Sequence, residues 1–85
     1  MNNQEKLTSY LTDIQGMVKA GMGKKTIRSN SVYILEGLDM SPDNAQILTD
    51  TVMEVLRSLD IRDINVNDLQ TTVSKVLVNN MKKGA

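Results

Sequence analysis

Ser41-Pro42-Asp43-Asn44-Ala45-Gln46-Ile47-Leu48 reads as the start of a helix. Serine is a favoured N-cap. Proline suits the first helical position because its missing N–H has no use there, and an acid in the first turn meets the positive end of the helix dipole. Downstream, Ala45, Leu48, Val52, Val55, Leu56 and Leu59 recur at helical spacing, so one apolar stripe runs to about Leu59. Ile47 and Met53 add apolar surface toward a second side.

Working outward from this segment, the same period appears three more times. Leu7, Leu11, Ile14 and Val18 lay a stripe along a helix from about Gln4 to Lys19, which Gly21-Met22-Gly23 ends. A second helix runs from Lys24 or Lys25 to Leu38 with Ile27, Ile34, Leu35 and Leu38 inward. Small Ser31 lies in the turn between and permits a neighbouring helix to come close. Asp60-Ile61-Arg62-Asp63-Ile64 is a short connection. Asn65 or Asn67 then caps a last helix carrying Val66, Leu69, Val73, Val76, Leu77 and Met81. Its β-branched Thr71, Thr72, Val73, Val76 and Val78 make a strand the competing reading, and the helical spacing decides against it. The expected fold is all-α, a small domain of four helices (or three to four) spanning residues 1–85.

Composition narrows the chemistry. The 85 residues hold no Cys and no His, which removes thiolate nucleophiles, imidazole bases, disulfides and the usual zinc ligands together. Asp50 and Glu54, one turn apart and joined by Asp43, suggest a carboxylate face for a divalent cation or a basic partner, but a solvated acidic face is the better reading. No catalytic residue, metal ligand or cofactor is therefore expected, and the chain reads as a non-enzyme. No apolar run reaches the ~20 residues that cross a bilayer, and the polar N-terminus does not resemble a secretory signal, so a cytoplasmic location is expected.

The core must be aliphatic, since the chain has two Tyr, six Met and no Phe or Trp. A domain of this size buries only about two-thirds of its unfolded surface, and Ile47, Met53 and Val78 leave apolar residues on second faces. A homo-oligomer is expected, against a compact monomer that buries them all.

Net charge is zero but unevenly spread: five cations face two acids through residue 35, and eight acids face two cations from 36 to 68. The neutral total argues against general nucleic-acid binding. The basic first part suits an anion or the acidic part of another subunit. Within it, Gly21, Gly23, Lys24, Lys25, Thr26 and Arg28 bring mobile backbone N–H donors, ammonium groups, a hydroxyl and a guanidinium to a helix start, a chemistry suited to phosphate. The glycine spacing and the preceding helix exclude a P-loop. Lys24 and Arg28, one turn apart, share a face. Tyr10 is the candidate stacking partner for a purine, or a cap on the apolar stripe with its hydroxyl in water; Tyr33, between Val32 and Ile34, reads as packing.

Tyr10, Gly21, Gly23, Lys24 and Thr26 give the chain a resemblance to the small phage anti-CBASS proteins that sequester cyclic oligonucleotide signals. In that family such a tyrosine stacks on the base, and the lysine and threonine hold phosphate or ribose. The resemblance implies a non-catalytic, oligomeric sponge that acts in the host cytoplasm. Lys25-Thr26-Ile27-Arg28, the helix at Ala45–Leu59 and the run from Ile64 to Val73 are also similar to the helical part of the ATP-cone regulatory module of ribonucleotide reductases. Both resemblances imply nucleotide ligands. The other class left open is a protein-interaction module or inhibitor that binds a host protein through its helical faces, with Tyr10 as an interface anchor and Lys24, Lys25 and Arg28 on acidic groups of the target.

Overall fold

Ser41 caps its helix as its sequence demands: its hydroxyl accepts the Asn44 N–H at 3.3 Å, and Pro42 follows at the first helical position. The structure, a computed structural model, describes the backbone of residues 2–83 and the side-chain surroundings of residues 2–80. Four helices make up these residues: α1 (Asn3–Lys19), α2 (Lys24–Gly37), α3 (Pro42–Ser58) and α4 (Val66–Lys83). The α4 segment is helical despite its β-branched residues, because its apolar positions Leu69 and Val73 repeat on one side and are buried. No strand occurs among the described residues. Met81, assigned inward by its spacing, lies outside the described side chains.

Each boundary has a local cause. The Asn2 side chain accepts the Glu5 N–H at 2.8 Å to start α1, and the Asn65 side chain accepts the Asn67 N–H at 2.8 Å to start α4. At the end of α1, Met22 N–H donates to Met17 O and Gly21 N–H to Val18 O, with Gly21 at φ +78°. That pairing needs a left-handed residue, which glycine supplies without steric cost. The end of α2 repeats it: Met40 N–H reaches Leu35 O and Asp39 N–H reaches Glu36 O, but the left-handed residue is Asp39, at φ 65°.

The helices pack in a ring, α1 on α2, α2 on α3, α3 on α4 and α4 back on α1, and among the described residues the backbones of diagonal pairs do not come close. Short connections make consecutive helices antiparallel neighbours. The Cα radius of gyration, 12.0 Å, is that of a close-packed chain of this length. Leu11, Ile14, Leu35, Val52, Ile61, Leu69 and Val73 fill the centre. Each fully buried aliphatic side chain contributes roughly 1.5–3 kcal/mol, which is what opposes the ordering of the chain.

A polar chain crosses this core. Tyr10 of α1 is 0% exposed, and its hydroxyl shares a 2.6 Å hydrogen bond with Ser31 of α2, whose oxygen lies 2.8 Å from Thr49 Oγ1 of α3. Ser31 thus admits close neighbours, as its size suggested. Met53 is buried too, while Ile47 and Val78 stay half-exposed. Tyr33 departs from the packing expectation: it is 79% exposed, because its helical phase turns it away from the Ile27–Ser31–Leu35 stripe. Leu59 is the extended C-cap of α3 and is exposed, not part of its buried stripe.

Candidate functional site at the start of helix α2

Gly23 is the N-cap of α2, in extended backbone (φ −67°, ψ 154°), and it has no side chain with which to cap. Its carbonyl accepts the Ile27 N–H at 3.0 Å, so the amides of Lys24, Lys25 and Thr26 precede the first intrahelical bond and face outward unclaimed by a cap. The side chains of all three residues are exposed. Gly21, grouped with them from sequence, already has a structural role in ending α1.

Lys24 lines a cleft of about 290 Å³ between the end of α1, the start of α2 and the end of α3. Val18, Ile27, Leu56 and Ile61 provide its apolar lining, and Arg62 stands with Lys24 at its edge. The Arg62 guanidinium is engaged by Asp60 through Nε (3.0 Å) and Nη2 (2.8 Å). Hydrogen bonds from the Arg62 side chain and then its backbone N–H hold the Asp60 carboxyl down to about 2. Leu56 was read from sequence only as part of the α3 stripe, and Ile61 and Arg62 only as a connection, none of them as part of a site. The only signal for them was the apolar end of α3 followed by charged residues, which says nothing of which helix start they meet.

The structure separates two residues from this corner. Tyr10 is not a stacking surface in this fold: its ring is sealed in the core and its hydroxyl is bound to Ser31, and burial dominates in pushing its phenol up to about 12. The same burial excludes both the water-exposed cap and the interface anchor read from the sequence. Arg28 shares the α3-facing side of α2 with Lys24, but its Nη1 lies 2.6 Å from Asp50 Oδ1, and Gln46 donates to the same oxygen at 3.1 Å. A phosphate would compete with Asp50 for that guanidinium. The acidic face is likewise divided, since Glu54 accepts from Asn80 at 3.1 Å, and no group of three carboxylates converges among the described residues.

A second cavity, of about 420 Å³, opens at the other end of the bundle, where Leu7, Leu35, Leu38, Met40, Val73 and Leu77 line it. Asn3, Lys6, Asp39, Ser41, Asn44 and Ser74 also line it, and it shares no residue with the α2 corner. Comparisons with known protein families, with curated proteins and with solved structures returned no match. No helix among the described residues is long and apolar enough to cross a membrane.

Proposed function

We propose that the protein is a self-associating, non-catalytic helical bundle that binds a phosphate-bearing nucleotide at the start of α2. The supporting observation is the uncapped helix start at Gly23, whose outward amides adjoin Lys24 and an apolar cleft of about 290 Å³. Amide donors and an ammonium suit the phosphate; the cleft, in place of Tyr10, suits the flat face of a base. Binding without chemistry amounts to sequestration. The biological form of this reading is a sponge for a cyclic oligonucleotide signal in phage counter-defence, in keeping with the resemblance at Gly21, Gly23, Lys24 and Thr26. Lys25 and Thr26 join Lys24 on the phosphate, and Arg28 contributes once released from Asp50.

A thermal-shift screen with mono-, di- and cyclic nucleotides tests it. At a hundredfold excess over Kd, binding adds about 2.7 kcal/mol, a rise of roughly 10–20 °C for a domain this small. Lys24→Ala should abolish the rise and Lys75→Ala should not. No rise with any nucleotide refutes the reading. Exposed Tyr33, on the flank between α1 and α2, favours the second reading, a module that binds another protein through a helical face.

A further inference from the structure

All four helices contribute to the cavity of about 420 Å³ at the other end of the bundle. Buried Leu35, Leu48 and Val73 and half-buried Leu7, Leu38, Met40 and Leu77 give it a continuous apolar lining. Only two charged residues line it, Lys6 and Asp39. Lys6 is half-buried and enters no ion pair among the described residues. It stands in the opening turn of α1, where a cation opposes the helix dipole and so gains nothing for the fold. A lysine in such a place lays its stem on apolar surface and keeps its ammonium at the mouth. Asp39 is exposed, on the left-handed turn that ends α2, so water and salt screen its charge more than that of Lys6. Asn3 and Ser41 bring the positive ends of α1 and α3 to the same cavity, against the one negative end of α2.

We infer that this cavity binds a single-chain fatty acid, its alkyl chain among the four helices and its carboxylate on the Lys6 ammonium. The site is independent of the nucleotide corner, with which it shares no residue. Volume sets the length of the chain. At roughly 30 Å³ for each methylene, about the liquid volume of a water molecule, the cavity takes about a dozen carbons. A lipid with two long chains does not fit. The apolar lining recognises the tail by the area it removes from water, and the head supplies the specificity: Lys6 donates to the carboxylate with its charge, and the Asn3, Asn44 and Ser74 side chains are neutral donors on the same lining. An alkylammonium of equal length would set like charges together at Lys6, and an alcohol would lose the ion pair.

Calorimetric titration of the full chain, below the micelle concentration of each ligand, tests this with octanoate, decanoate, dodecanoate, hexadecanoate, decanol and decylammonium. Affinity should rise about fourfold for each added methylene and level off beyond dodecanoate. Decanoate should bind more tightly than decanol, and decylammonium least tightly. Lys6→Gln should weaken decanoate about fivefold while leaving decanol binding and the melting of the free protein unchanged. Asp39→Asn removes the acid but keeps a residue that tolerates the left-handed turn, and it should tighten decanoate. Methyl NMR shifts on adding decanoate should gather at Leu7, Leu38 and Leu77. Absence of binding by every chain at millimolar concentration overturns the inference, as do methyl shifts centred on another surface. Equal affinity for decanoate and decylammonium, or decanoate binding indifferent to Lys6→Gln, overturns it as well.

Discussion

Replacing Ser31 with alanine should remove far more stability than a serine usually carries. Ser31 is fully buried and links Tyr10 OH, at 2.6 Å, to Thr49 Oγ1, at 2.8 Å. Alanine breaks both hydrogen bonds and strands two buried hydroxyls, each at a cost of roughly 1–3 kcal/mol. Thr49 can turn its hydroxyl to the carbonyl one turn back in its own helix, so its penalty falls at the low end. The phenol makes no other hydrogen bond in the fold and has only the Thr49 hydroxyl near it. A total of about 2–4 kcal/mol follows, against roughly 4–13 kcal/mol of total stability expected for a chain of this length. Melting followed by far-ultraviolet circular dichroism should show the midpoint falling by roughly 10–25 °C. Tyr10→Phe, which leaves Ser31 bonded to Thr49, should cost only about 1 kcal/mol. The double variant should then be less destabilised than the sum of the two, because the phenylalanine has no hydroxyl to strand. A drop within about 3 °C for Ser31→Ala, or strict additivity, would refute the view that this polar chain is satisfied only as a unit.

Three further outcomes follow from named contacts. Burial holds Tyr10 neutral with a pKa of about 12 in the fold, against 10.0 when free. Its contribution is therefore fully present below pH 10 and is lost as pH rises from 10 to 12, by about 2–3 kcal/mol; chemical denaturation across that range should show the loss in the wild type and much less of it in Tyr10→Phe. Gln15 Nε2 donates to the carbonyls of Ile61 (2.8 Å) and Ile64 (2.7 Å) and so ties the α3–α4 connection to α1. Gln15→Ala should cost roughly 1–3 kcal/mol, Gln15→Glu should cost more because it turns an acceptor toward two acceptors, and amide exchange should rise first at residues 61–64. Asp39→Gly should stabilise by roughly 0.5–1 kcal/mol, since only the left-handed turn at the end of α2 holds that residue at φ 65°, and a melt that moves down would refute it.

Three element boundaries were legible because they are written in adjacent residues: the Ser-Pro-Asp start of α3, the Asn start of α4 and the glycine end of α1; the Asn2 cap of α1 was not read. What sequence could not supply was the meeting of residues from different helices. Tyr10, Ser31 and Thr49 are each ordinary on their own helix, and hydropathy counts serine and threonine as surface. Only the three-helix contact makes them core. Arg28 and Asp50 are hidden for the same reason, being 22 residues apart. Tyr33 was misread for a different one: apolar neighbours at adjacent positions on a helix do not share its face. The α2 corner was half legible. Its cations and glycines are contiguous, whereas the apolar cleft beside Lys24 is built from the end of α3 and the connection after it.

Gly23 separates the two explanations of that corner. Gly21 has a left-handed φ that its turn requires, so its glycine is a matter of fold. Gly23 has an extended conformation that any residue adopts, and a Cβ there meets nothing within 4 Å. Aspartate at this position should cap α2, bond its free amides and meet the positive end of its dipole, which raises stability by a few tenths to about 1 kcal/mol. The same carboxylate would occupy the amides that the proposed phosphate needs and repel the phosphate itself. Gly23→Asp should therefore melt higher than the wild type, by a few degrees, and lose its response to nucleotide. A variant that gains stability and keeps the response places the phosphate elsewhere. One that loses stability shows that the start of α2 is not open as described.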